Sequence, residues 1–199
     1  YPYVLFIFIM KNRLHLHITK IGGNSLFHDL ILGGQDGLVN VLGIVLGMAA
    51  ATQELRFIII AGLAATFAES ISMAAVAYTS TKAETDFYES NKPKIKGEID
   101  YIYVQKSPIK SAFIVGLSSI IGSLIPTIPF ILSTIIPINQ YLAMIIAIVI
   151  SALALFITGS IEGKLTSKRW FKEGINLTTI GMIAALAGFL IGKLLGASI

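Results

Sequence analysis

Residues Leu30–Thr52 read LILGGQDGLVNVLGIVLGMAAAT, an apolar run interrupted only by Gln35, Asp36 and Asn40. Its length is near the ~20 residues a helix needs to cross a bilayer. Asp36 lies six residues inside the run. A carboxylate at mid-helix costs roughly 2.5–3.5 kcal/mol on insertion scales. A residue that expensive needs a compensating role.

Composition places the rest of the chain in the same class. Of 199 residues, 55% are hydrophobic and 13% charged, with a mean hydropathy of +0.80. Soluble domains are near 45–50% apolar and about 25% charged, so this is a membrane protein. The chain has no cysteine, which excludes disulfides and thiolate-metal sites and leaves the redox compartment undetermined. Hydropathy marks five spans: Leu30–Thr52, Phe57–Ser80, Ile109–Ile131, Gln140–Gly159 and Gly174–Leu195. Pro126 and Pro129 are expected to end or break the last turn of the third. The fold class is therefore all-α and polytopic. A cytosolic segment, 1–29, precedes one five-helix domain, 30–199, with a short cytosolic loop at about 81–108.

The first twenty residues, YPYVLFIFIMKNRLHLHITK, carry an apolar run too short to span, and its basic residues follow rather than precede it. That order is the reverse of a signal peptide. Met10 is the expected start, with 1–9 upstream; the alternative is a short interfacial segment. His15, His17 and His28 are too sparse a pattern to specify a metal site.

The basic residues assign direction. Thirteen flank the chain start, the connection between spans two and three, and the connection between spans four and five; only Arg56 and Lys193 fall on the other side. The positive-inside rule then puts the N-terminus in the cytosol and the C-terminus outside. This asymmetry accounts for the pI of 9.3 without a nucleic-acid partner.

Two acids lie inside spans, Asp36 and Glu69. Counted from the cytosolic ends, Asp36 is roughly 9 Å deep at 1.5 Å per residue, level with Met73. Asn40 and Glu69 lie one turn deeper on the same two faces. Adjacent helices would present Asp36 with Met73, then Asn40 with Glu69. Carboxylate and amide oxygens with a thioether suit Fe²⁺ or Mn²⁺, because the soft sulfur disfavours Ca²⁺ and Mg²⁺. Carboxylates also bind metal when ionised and carry a proton when not. The plainer readings are that Met73 is packing material and that Asp36 caps a helix break at Gly33-Gly34. Glu69 resists such a reading, since snorkelling fails near mid-span. Small-residue spacing at Gly43, Gly47, Gly188 and Gly192 suits close helix packing, within the chain or between two copies. No phosphate loop, Ser/His pair or H-E-x-x-H occurs, so no enzyme is expected.

GGQDGLVNVLGIVLGMAAAT (33–52), AGLAATFAESISMAAVAYTSTKAETDFY (61–88), GSLIPTIPF (122–130) and ALALFITGSIEGKLT (152–166) together resemble the vacuolar iron transporter family. The resemblance covers nearly the whole chain after Leu26. It implies a five-span homodimer that moves Fe²⁺, and in some members Mn²⁺, out of the cytosol in exchange for protons. It also implies a pathway lined by the first helices at the dimer interface. Asp36 matches the aspartate of the family's D-G-L motif, and Met73 the methionine of its S-M motif. Plant-type members place the second-helix glutamate two turns before that methionine, where this chain has Ala65; here the acid is one turn before it, at Glu69. Those members also insert a long glutamate-rich helical domain after the second span. This chain has about thirty residues there, with Glu84, Asp86, Glu89, Glu98 and Asp100, and Pro93 and Gly97 interrupt any long helix. A solvated loop is the expectation, with a metal-collecting site as the alternative. The function expected is proton-coupled export of Fe²⁺ or Mn²⁺ across a prokaryotic plasma membrane, by a homodimer in membrane lipid. The alternative is a non-transporting membrane subunit whose buried acids hold partner helices.

Overall fold

A computed structural model describes residues 25–91, 107–166 and 169–196. Five helices fill them: α1 (Ser25–Ala51), α2 (Leu55–Asn91), α3 (Pro108–Leu132), α4 (Gln140–Thr166) and α5 (Trp170–Gly196), with no strand among the described residues. All five are long and apolar enough to cross a membrane. Large apolar side chains cover the outer surface, among them Ile71 at 70% exposure and Phe113 at 69%. An aqueous protein does not present so continuous an apolar surface. The chain is an integral membrane protein.

Local chemistry sets the helix ends. Ser107 precedes Pro108 at the first turn of α3, where a missing N–H costs nothing. The Asn139 side chain accepts the Leu142 N–H at 2.7 Å and caps α4. Gln140 donates from Nε2 to the carbonyls of Ala49 (2.9 Å) and Thr52 (2.7 Å), tying the end of α1 to the start of α4.

α1 is the central helix and packs against all four others, most extensively α3 and α5. Glycine makes both contacts possible. In the first half of α1, a Cβ at Gly122 of α3 would stand 1.9 Å from the Gly34 carbonyl oxygen. In the second half, a Cβ at Gly192 of α5 would stand 1.9 Å from the Gly47 carbonyl oxygen, and one at Gly188 2.2 Å from that of Gly43. Backbones this close gain dispersion contacts, which drive helix association where lipid supplies no hydrophobic force. Val41 and Val45 of α1, Ile58 of α2, Phe130 of α3 and Ala143 and Ala147 of α4 form the main apolar core.

Three expectations need correction. The helices outrun the hydropathy windows at one end, with α1 starting at Ser25, α4 running to Thr166 and α5 beginning at Trp170. α3 runs through both prolines to Leu132. Prolines survive in such helices because neighbouring groups and packing compensate for the lost hydrogen bonds; Pro126 and Pro129 are themselves buried. The stretch after Ser80 is helical to Asn91 rather than a loop. At 37 residues, α2 is about 55 Å long and must project beyond a hydrocarbon layer of ~30 Å. Residues 1–24, including Met10, His15 and His17, lie outside the described residues, as do Pro93, Gly97, Glu98 and Asp100.

Candidate functional site

Asp36 and Asn40 project from α1 toward Glu69 of α2. Asn40 donates from Nδ2 to Glu69 Oε1 at 2.5 Å. The Asp36 carboxyl lies close enough to the same glutamate to act on it electrostatically. Two carboxyl groups thus meet inside the spans, and the Asn40 amide donates to one of them. No lysine or arginine lies in the central part of any span. Like charges so placed repel, most strongly in a medium of low dielectric. Such a pair needs a proton or a cation to be stable.

Asn40 meets Glu69 as the expected rung pairs them, and Asp36, one turn away on α1, lies near the same glutamate. Met73, one turn from Glu69 on the same face of α2, is half-buried. Asp36 and Glu69 are half-buried too, and Asn40 is exposed. Asn40 also edges a groove of about 830 Å³ between α1 and α5, lined by Gly43, Gly47, Gly188 and Gly192. These glycines pack α1 on α5 of the same chain. Ala65, the position of the plant-type glutamate, packs against the apolar core of Val41 and Val45 instead.

Hydroxyls stand behind the acids. Ser70 Oγ donates to the Thr66 carbonyl at 2.6 Å and lies 3.3 Å from Ser119 Oγ of α3. Such links are how membrane helices satisfy polar groups against one another.

Sequence reading missed Asp29. It is 3% exposed and accepts a hydrogen bond from Ser111 Oγ of α3 at 2.6 Å, with His28 Nδ1 3.8 Å from its other oxygen. Asp29 precedes Asp36 by seven residues, two turns on one helix face. That spacing was the available signal, hidden because the hydropathy window begins at Leu30. Glu84, Asp86 and Glu89 are exposed along the projecting end of α2. Among the described residues no three His, Asp or Glu side chains gather as a metal site. One chain therefore offers two carboxylates, one amide and one nearby thioether.

The chain is similar in sequence to known proteins. The chain is 31% identical over 184 residues to an uncharacterized protein of Methanocaldococcus jannaschii, covering 88% of this chain and 93% of that one. It is 23% identical to vacuolar iron transporter 1 of Eucalyptus grandis and 24% identical to vacuolar iron transporter 1 of Arabidopsis thaliana. Each of these alignments covers 93% of this chain and 91% of the relative. The VIT family matches over residues 27–106 and 98–193, which reach all five helices and contain the acid pair. The chain belongs to the VIT family.

Proposed function

We propose that this protein is a metal-ion transporter that exports Fe²⁺ or Mn²⁺ from the cytosol in exchange for protons, with Asp36, Asn40, Glu69 and Met73 as the transport site. The observation that carries this reading is the contact of Asp36 and Asn40 on α1 with Glu69 on α2, without a basic residue at that depth. An intramembrane acid marks an ion or proton pathway by default. A divalent cation neutralises both carboxylates at once, and its departure leaves them to take up protons. One site then serves two ions in alternation, which is what exchange requires. Oxygen donors with the Met73 sulfur favour Fe²⁺ or Mn²⁺ over Ca²⁺ and Mg²⁺. The relatives named as iron transporters support the metal, and the apolar helices support the membrane setting.

The working unit in this proposal is a homodimer in a prokaryotic plasma membrane. Half-buried acids on one edge of a single chain would face hydrocarbon, at a cost of several kcal/mol each. A second copy on the same edge would cover them and bring four carboxylates to a shared axis.

The test uses purified protein in liposomes, with a metal-quenched dye and a pH dye inside. Fe²⁺ or Mn²⁺ entry should move protons the other way. Asp36→Asn and Glu69→Gln preserve shape but cannot titrate, so each should abolish metal-driven proton movement. Normal transport by Glu69→Gln, with unchanged pH dependence, would reduce Glu69 to a packing residue and leave Asp36 with other ligands. Absence of metal flux in the native protein would favour the non-transporting subunit.

A further inference from the structure

Away from the acid pair, a second cavity of about 380 Å³ lies between α1, α3 and α4. Its lining is apolar and includes Leu30, Phe113, Leu117, Ile121, Ala154 and Ile161. Leu30, Phe113, Leu117, Ile121 and Ile161 are each more than 40% exposed, so the cavity opens sideways to the surrounding hydrocarbon. Two lysines continue its walls at one end. Lys110 precedes Phe113 and Ile114 by three and four residues on α3, and Lys164 follows Ile161 by three on α4. Helical spacing of three or four keeps each lysine on its wall, one turn beyond the cavity. Both lysines are exposed, and neither takes part in an ion pair among the described residues.

An apolar slot open to lipid, ending in two exposed cations at the membrane surface, suits an amphiphile with an anionic head. We propose that this groove binds an anionic phospholipid, with an acyl chain between α1, α3 and α4 and the phosphate held by Lys110 and Lys164. Charge complementarity selects this occupant over a neutral lipid. Basic pockets between membrane helices on the cytoplasmic side recognise acidic headgroups in this way, and the basic asymmetry of the chain puts both lysines on that side. The occupant would touch α1 at Gln35, next to Asp36; the Gln35 side-chain oxygen is buried and has no hydrogen-bond partner among the described residues. Headgroup binding at the α3–α4 end would also hold the outer helices against the central one.

The experiment measures thermal unfolding of delipidated protein in detergent, with phosphatidylglycerol or phosphatidylcholine of identical chains added. Phosphatidylglycerol near saturation should raise Tm by about 5 °C more than phosphatidylcholine. The double variant Lys110→Gln/Lys164→Gln should lose that difference while keeping the response to phosphatidylcholine. Ala154→Phe fills the slot and should blunt the response to both lipids. Because the chain has no cysteine, Leu117→Cys gives a clean probe of the alternative occupant. Equal stabilisation by both lipids, a headgroup preference that survives in the lysine variant, or disulfide cross-linking of two copies through position 117 would each overturn the proposal.

Discussion

The position of α1 rests on its glycine contacts, and one of them can be tested quantitatively. At Gly192 an added Cβ would lie 1.9 Å from the Gly47 carbonyl oxygen and 2.5 Å from its carbon. Both are backbone atoms, so no rotamer change relieves the clash. Reaching an ordinary contact of about 3.5 Å requires α1 and α5 to separate by more than 1 Å there. Overpacking of this kind costs typically 1–3 kcal/mol, against which alanine recovers at most about 1 kcal/mol of helix propensity. Gly192→Ala should therefore destabilise the protein by about 1–2 kcal/mol. Gly43 is the internal control, because its added Cβ meets the Ala184 carbonyl oxygen at 3.5 Å, an ordinary contact. Gly43→Ala should be neutral or slightly stabilising. Reversible unfolding in mixed micelles, followed by circular dichroism, measures both. Displacement of α1 should also disturb the Asn40–Glu69 hydrogen bond, so Gly192→Ala should slow metal flux in liposomes while Gly43→Ala should not. Equal stability of the two variants would refute the idea that the α1–α5 backbone contact positions the central helix.

Met73→Leu keeps volume and most packing but removes the sulfur; it should weaken Fe²⁺ and Mn²⁺ flux several-fold without lowering Tm, and an unchanged metal dependence would make Met73 packing material. Asp29→Ala should destabilise by about 1–3 kcal/mol, since it strands the buried Ser111 hydroxyl. Asp29→Asn retains an acceptor for that hydroxyl and should be milder, so equal losses in the two variants, read by the same unfolding assay, would show that charge rather than hydrogen bonding matters there. Five crossings with the basic residues on the cytosolic side should place the N-terminus inside and the C-terminus outside; labelling of terminal tags on one common face would remove that topology.

Five spans were legible because crossing a bilayer is a property of each segment alone. About twenty apolar residues lower the free energy of insertion whatever their neighbours are, so the windows around Leu38, Leu63, Ile120, Ile148 and Ala184 stand out locally. Asp36 and Glu69 were legible for the same reason, as costly exceptions inside those windows. Matching their depths required only the rise per residue and the alternation of adjacent crossings, and Asn40 meets Glu69 as that count pairs them. Helix pairing was not legible. Lipid and protein interior are equally apolar, so hydropathy does not distinguish the face that Gly47 turns to α5 from a face turned to lipid or to a second copy. Which small residues meet depends on complementary shape between two helices at once, and only the tertiary structure decides that Gly43 and Gly47 take Gly188 and Gly192 as partners while Gly34 takes Gly122. The continuation of α3 through Pro126 and Pro129 has the same origin, since surrounding helices compensate for what the isolated segment lacks. Asp29 followed this pattern most clearly: in the sequence it is one polar residue before a span, and in the fold it is buried with a hydrogen bond from Ser111, eighty-two positions away.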